Sequence, residues 1–377
     1  MHKLIATSTI LEHELSELRL LIERQSGIVL DCPNSALATH VADFIEAQDL
    51  RSSSVLLERL RSEQDPARLP GLLEGLINTN TGFFRHPGAL NALTRQVLPQ
   101  LFARKSADGP SPLRIWSAGC ATGEETYSIA MAVCDAVSNA GTEGNASSIG
   151  IGTANGKSAA RSAGAADGVQ NNSSLSSLGA GVSIHIVGSD LLPQNIEAAD
   201  RGVYPQAALE GLPPASIRNY FSKITSPTIA TADADDEPAD GEEQFELQDR
   251  YQAKSESKHD KNGGSRGAVK AACANAAHLL AKPRLRSLVT FNCMNLARPG
   301  YIGRFDCIFC MDVLPHFSRA QRMALLERLH LYLEPGGYLF LSQTEKLSAP
   351  NLNFRSETFD GYTFHRKPLA ASAAYGR

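Results

Sequence analysis

The chain has no long apolar run. Its opening, MHKLIATSTI, is short and leads into charged residues, so neither a secretory leader nor a membrane span is expected. A cytoplasmic protein with reduced thiols is the consequent reading. Charge of one sign is lacking too: 36 Lys and Arg stand against 40 Asp and Glu, a net charge of −4. No general field for nucleic acid exists, and no nucleic-acid partner is expected. A usable cysteine pattern is also missing, because the seven cysteines (Cys32, Cys120, Cys134, Cys273, Cys293, Cys307, Cys310) are odd in number and scattered. Cys307 and Cys310 have CxxC spacing, but they lie in an apolar strand, where side chains three apart face opposite ways. Buried thiols are therefore expected there, and no metal.

Two stretches are poor in large apolar residues. Ser138 to Gly181 is nearly all Ser, Ala, Gly, Asn and Thr. The second, 224–282, begins acidic (Asp233, Asp235, Asp236, Glu237, Asp240) and turns Lys- and Gly-rich. Neither has the apolar content to offset its ordering entropy, so both are expected to be disordered insertions. Elsewhere the composition, 42% hydrophobic overall, supports one substantial core and a smaller one.

The most informative stretch is LRIWSAGCATGEETYSIAM, Leu113 to Met131. An apolar strand runs into a turn of small residues, and Thr122 with Glu125 has capping-box spacing for a following helix. Gly119 and Gly123 allow backbone to pass close to a ligand. This reads as the first βα turn of a doubly wound α/β sheet. The glycines do not match GxGxxG, and Glu124 and Glu125 make the helix mouth acidic, which disfavours a pyrophosphate. A cationic or neutral adenosine ligand suits the turn better than a dinucleotide, which speaks against a nicotinamide oxidoreductase.

Strands and helices alternate on either side of the insertions. Residues 10–80 carry helical stripes, Leu11, Leu15, Leu18, Ile22 and then Leu69, Leu72, Leu73, Leu76, Ile77. Strand Val182–Val187 ends at Gly188-Ser-Asp190, with Pro193 placed to open a helix. With the first insertion removed, Asp190 sits near the spacing of an acid that binds ribose hydroxyls; it also suits a helix N-cap. Strands at Leu288–Cys293, Phe305–Cys310 and Tyr338–Ser342 follow, with a Ser318/Gln321 capping box opening a helix from Met323 to Leu333. The pattern predicts a parallel sheet with an antiparallel last strand near Phe359–Phe364.

Taken in order, TNTGFFR (Thr79–Arg85), WSAGCATGEETYSIAM, GSDLLPQNIEAADRGVY, FNCMNLARP, FDCIFCMDVLPHF and LEPGGYLFLSQTEKL resemble the CheR-type chemotaxis receptor methyltransferases. The resemblance implies a Rossmann-like S-adenosylmethionine-dependent sheet of seven strands. It also implies a helical N-terminal domain over 1–85, the methyltransferase domain over 86–366 and a flexible tail over 367–377. The implied activity is methyl transfer from S-adenosylmethionine to glutamate side chains of a chemoreceptor cytoplasmic domain, leaving S-adenosylhomocysteine. A monomer is expected. The family inserts a small antiparallel β subdomain after the segment matching Gly202–Tyr204; here the low-complexity stretch 224–282 occupies that neighbourhood.

Carried over by position, Thr81 and Arg85 match residues that reach the cofactor, Glu124 lies near its methionine moiety, and Asp190 at its ribose and adenine. Asn295 and Leu296 match the pair beside the adenosine, and Gly119 lies in the glycine turn. This chain departs at Thr79, where the family has Asn, and at Met311-Asp312, where it has Arg-Asn close to the transferred methyl. It departs again at His316, where the family has Tyr, and at Ala38, Thr39 and His40, where its receptor-gripping helix is basic.

Methyl transfer to an ionised carboxylate needs alignment and water exclusion, not a general base or metal. Arg85 is the residue expected to orient a carboxylate, of the acceptor or of the cofactor, or else to pair with an acid at the lobe interface. Asp312 and His316 stand where acceptor geometry is tuned, although His316 also suits a hydrogen-bonded core position. The alternative function is a non-catalytic module that binds S-adenosylmethionine or S-adenosylhomocysteine in a chemosensory pathway.

Overall fold

The structure is a computed structural model and describes residues 10–62, 68–77, 79–108, 111–142, 183–224, 277–300, 303–347, 349 and 351–369. Most of both expected insertions, 143–181 and 225–276, lies outside the described residues.

Four helices come first: α1 (Glu12–Ser26), α2 (Asn34–Ala47), α3 (Ser53–Arg61) and α4 (Arg68–Leu73). Their apolar stripes meet in one small core, where Leu15, Leu18 and Ile22 of α1 pack with Leu37, Leu56, Leu60 and Leu72. Leu11 does not join them. It is the N-cap residue of α1 and exposed, and its amide donates to Glu14 Oε2 at 3.0 Å. Leu76 and Ile77 lie beyond the end of α4 but still pack against this core.

The body opens with α5 (Pro87–Ala92), a π turn (Leu93–Val97) and α6 (Leu98–Asp108). Then come β1 (Leu113–Ala118), α7 (Glu124–Thr142), β2 (Ile184–Asp190) and α8 (Pro193–Arg201). After β3 (Val203–Pro205), α9 (Pro214–Tyr220), β4 (Phe221–Ile224), β5 (His278–Ala281) and α10 (Pro283–Arg286), the chain returns to the main sheet. It does so through β6 (Val289–Cys293), β7 (Phe305–Cys310), α11 (Arg319–Tyr332), β8 (Leu333–Leu341), β9 (Arg355–Phe359) and β10 (Tyr362–Arg366).

Seven strands form one sheet in the order β6-β2-β1-β7-β8-β10-β9. The first five run parallel, and β10 is antiparallel to both β8 and β9. Strand alternation fills both faces, as a parallel sheet requires. In β1, Leu113 and Ile115 face the core containing α7, while Trp116 and Ala118 face the core containing Leu325, Leu326 and Leu329 of α11. Cys307 and Cys310 fall in these two different cores, and both thiols are buried and free.

Several boundaries differ from the expectation. Residues 138–142 continue α7. The second insertion does not reach 282, because β5 pairs antiparallel with β3 and β4, its Leu279 and Ala281 buried. A small antiparallel sheet therefore does stand after Gly202–Tyr204, carried by an apolar alternation too short to stand out beside low complexity. The helix expected from Met323 begins earlier, at Arg319, and Ser318 caps it without a side-chain hydrogen bond. In the Phe359–Phe364 stretch Phe359 ends β9 and Asp360-Gly361 turn the chain, and the expected antiparallel last strand, β10, starts only at Tyr362. Finally, Lys367 is held to the fold, its amide donating to the Gly337 carbonyl at 2.9 Å; residues beyond 369 lie outside the described set.

β1 has β2 on one side and β7 on the other, so the strand order reverses there and a crevice opens beyond the strands' carboxyl ends. The helical lobe roofs this crevice. Ile28 and Phe317 form an isolated antiparallel bridge, and the Val29 amide donates to the His316 carbonyl at 2.8 Å. The Asn295 amide group donates to the Gln25 carbonyl, also at 2.8 Å.

Candidate active site

The floor of the crevice is the β1–α7 turn. Gly119 has φ +84°, and a Cβ there would stand 2.5 Å from Val313 Cγ2, so only glycine leaves the turn this close to the neighbouring loop. The amides of Gly119 and Cys120 both donate to the Ser189 carbonyl, at 2.8 and 2.9 Å, and tie the turn to the end of β2. Asp190 completes the junction. Its Oδ2 accepts the Ala121 amide at 3.0 Å, while Oδ1 accepts the Leu192 amide at 2.9 Å and Asn195 Nδ2 at 3.0 Å. The carboxylate is thus fixed in orientation at the crevice wall.

The two neighbouring acids of the turn part company. Glu124, the first residue of α7, is buried and accepts a hydrogen bond from the Thr122 hydroxyl at 2.7 Å, outside the crevice lining. Glu125 is the one that faces the crevice, accepting from the Ser117 hydroxyl at 2.7 Å. Both expected roles change with this. Thr122 and Glu125 form no capping box, and Glu124 does not line the pocket, because consecutive helical residues point about 100° apart. Burial pushes the Glu125 carboxyl up to about 7, with Asp312 and Glu345 adding to the rise; the Ser117 hydrogen bond and Arg85 oppose it.

The opposite wall comes from the segment before α5. Thr79, Thr81 and Arg85 all line the crevice. Phe84 is held in a left-handed conformation (φ +51°), its amide donating to Ser128 Oγ of α7 at 2.9 Å. Arg85 donates to the Asn80 carbonyl and stands 3.3 Å from Asp312 Oδ2. His86 Nε2 lies 3.0 Å from the same oxygen. Asp312, just past β7, is itself left-handed at φ +57°.

Every expected site residue except Glu124 therefore converges on one crevice: Thr79, Thr81, Arg85, Gly119, Asp190, Asn295, Leu296, Met311, Asp312 and His316. Their tasks divide differently from the expectation, though. The Asn295 side chain is spent on the lobe junction, donating to Gln25 and accepting the Ala297 amide at 2.9 Å. The Arg85 guanidinium meets Asp312, the acid-pairing option among those open for it. His86 and Glu345 escaped the sequence reading, and Glu125 entered it only as a capping residue and as part of an acidic helix mouth; the adjacency of His86 to Arg85 was the signal that could have found it.

The residues present fit an adenosyl sulfonium. A bare glycine backbone, an oriented acid at the end of β2 and apolar walls from Ile28, Leu296 and Phe309 suit a nucleoside. The carboxylates of Glu125 and Asp312 suit a positive charge. Among the described residues no group of His, Cys, Asp and Glu is arranged to hold a metal, and no helix is long and apolar enough to cross a membrane.

Comparison with known proteins agrees with this chemistry. Residues 79–151 and 271–362 match the family description "CheR methyltransferase, SAM binding domain". The chain is 27% identical over 333 residues to Chemotaxis protein methyltransferase 1 of Pseudomonas aeruginosa, covering 88% of this chain and 89% of that protein. It is 23% identical to Chemotaxis protein methyltransferase Cher2 of Pseudomonas putida, covering 89% of this chain and 90% of the relative. A probable chemotaxis protein methyltransferase of Rhizobium etli is 23% identical, with 87% and 90% covered.

Proposed function

We propose that this chain, which matches the CheR methyltransferase SAM-binding domain, is an S-adenosylmethionine-dependent methyltransferase whose acceptor is a glutamate side chain of a chemoreceptor cytoplasmic domain. The observation that carries this reading is the single crevice at the carboxyl ends of β1, β2 and β7, into which the separated motifs converge.

S-adenosylmethionine bound there supplies an electrophilic methyl group on a positively charged sulfur. Gly119, Asp190 and Leu296 would hold its nucleoside part, and Thr79, Thr81 and Met311 complete the walls. A glutamate acceptor is ionised at neutral pH and needs no base. The protein's own contribution is orientation and the exclusion of water by the helical lobe, whose Ser26 and Ile28 close the crevice from above. Arg85 is the cationic side chain positioned to meet a carboxylate at the mouth, with the His86 ring beside it. Asp312 already engages both.

That engagement is also the observation that favours a second reading, a module that binds the donor or its product without turnover. Incubation with methyl-labelled donor and receptor cytoplasmic fragments decides between them. Base-labile label on receptor glutamate is the expected result. Tight S-adenosylhomocysteine binding with no label on any receptor fragment would replace the enzyme with the module.

A further inference from the structure

Glu345 lies in the loop after β8, outside the crevice lining, yet its carboxylate organises one side of it. Oε1 accepts the Leu314 amide at 2.9 Å. Oε2 accepts the Ser342 amide at 2.8 Å and the Asp312 amide at 3.3 Å. Three backbone donors from the ends of two neighbouring parallel strands thus converge on one carboxylate. The loop after β7 is thereby locked to the loop after β8.

The locked segment is a strained one. Asp312 sits at φ +57°, a region that residues other than Gly, Asn and Asp rarely enter and that persists only where surroundings impose it. With its amide turned to Glu345, its side chain is sent the other way, where Oδ2 meets Arg85 Nε at 3.3 Å and His86 Nε2 at 3.0 Å. The connection therefore runs from Glu345 through the Asp312 backbone to the Asp312 carboxylate. From there it reaches the Arg85 guanidinium and the His86 ring on the opposite wall.

Resting on the reading of this crevice as the methyl-transfer site, we propose that Glu345 is a positioning residue. It fixes the left-handed turn at Asp312 and, through it, the places that Arg85 and His86 take in the pocket. Glu345 lies outside the crevice lining. Its influence on Arg85 and His86 passes through Asp312.

The test is a double-mutant cycle on the full-length protein. Asp312→Asn keeps a residue that tolerates the left-handed region but removes the charge, and Glu345→Gln removes one acceptor oxygen from the amide cluster. Both single changes are expected to alter kcat about tenfold and in the same direction, the size of a small displacement at a reacting centre. The double variant is expected to differ from the unaltered protein no more than the more strongly affected single variant. Multiplicative effects would overturn the proposal, as would a Glu345→Gln protein that melts lower but keeps its kcat. A second readout needs no turnover: the His86 ring signals in nitrogen-15 NMR should shift in both single variants, and unmoved signals in Glu345→Gln would refute the relay. Calorimetry with S-adenosylhomocysteine on the unaltered protein reports separately on the crevice's function. Failure there removes the methyltransferase reading, while the His86 signals still decide whether Glu345 sets the geometry.

Discussion

The Ser117 hydroxyl at the end of β1 donates to Oε1 of Glu125, the second residue of α7, across 2.7 Å. This one contact turns the second acid of the Gly-Glu-Glu turn into the crevice, among Asp312, Glu345 and Arg85, whose charges it feels.

A pH signature follows from it. With its carboxyl pushed up to about 7 by burial, Glu125 binds a proton in the folded protein that the unfolded chain has already released above the ordinary carboxylate range. Its penalty is absent below the unfolded value, grows as pH rises between about 4.5 and 7, and is complete above that. The size is on the order of 3 kcal/mol at most, because part of the side chain remains open to the crevice. Glu125→Gln should therefore gain melting temperature relative to the unaltered protein from pH 5 to pH 8. Parallel melting curves across that range would contradict the assignment.

Asp190→Ala removes the acceptor of three hydrogen bonds that orient the end of β2 and the β1 turn. Affinity for S-adenosylhomocysteine by calorimetry should fall at least about tenfold, or roughly 1.4 kcal/mol. Unchanged affinity would place the nucleoside elsewhere.

Gly119→Ala forces a Cβ to within 2.5 Å of Val313 Cγ2 at a φ of +84°. Strain and overpacking together should cost about 1–3 kcal/mol of stability. Adding Val313→Ala relieves the contact but not the backbone strain, so chemical denaturation of the pair should show partial recovery. Full recovery would mean that steric overlap, not backbone conformation, demands glycine here.

Asn295→Ala deletes the side chain that joins the β6 loop to Gln25 of the helical lobe. A loss of about 1 kcal/mol is expected for the hydrogen bond. Faster proteolysis between the lobe and the sheet body, slowed by added S-adenosylhomocysteine, would mark the junction as part of the pocket roof. Unaltered cleavage would reduce Asn295 to a local loop contact.

Much of the architecture was legible because it rests on short-range patterns. Strand alternation around Leu113–Ala118 and Phe305–Cys310 marked a two-faced parallel sheet, and the split of Cys307 and Cys310 between two cores followed from period two alone. Likewise Pro193 opens α8 as its fixed φ suggests. The small β3–β4–β5 sheet escaped because strands of three or four residues, two of them beside low-complexity sequence, carry too little pattern to count.

On its own, then, the order of residues dictated the α/β class, the crevice at the β1 turn and the set of segments that meet there, since propensity and periodicity act over a few neighbours. Tertiary structure alone decided which acid faces the ligand space and what each converging side chain does. Asp312 finds His86 across 226 positions and Asn295 finds Gln25 across 270, and such partners are chosen by packing and backbone donors brought from afar. A carboxylate's task depends on which donors surround it once the chain has closed, and no local stretch of sequence contains that information.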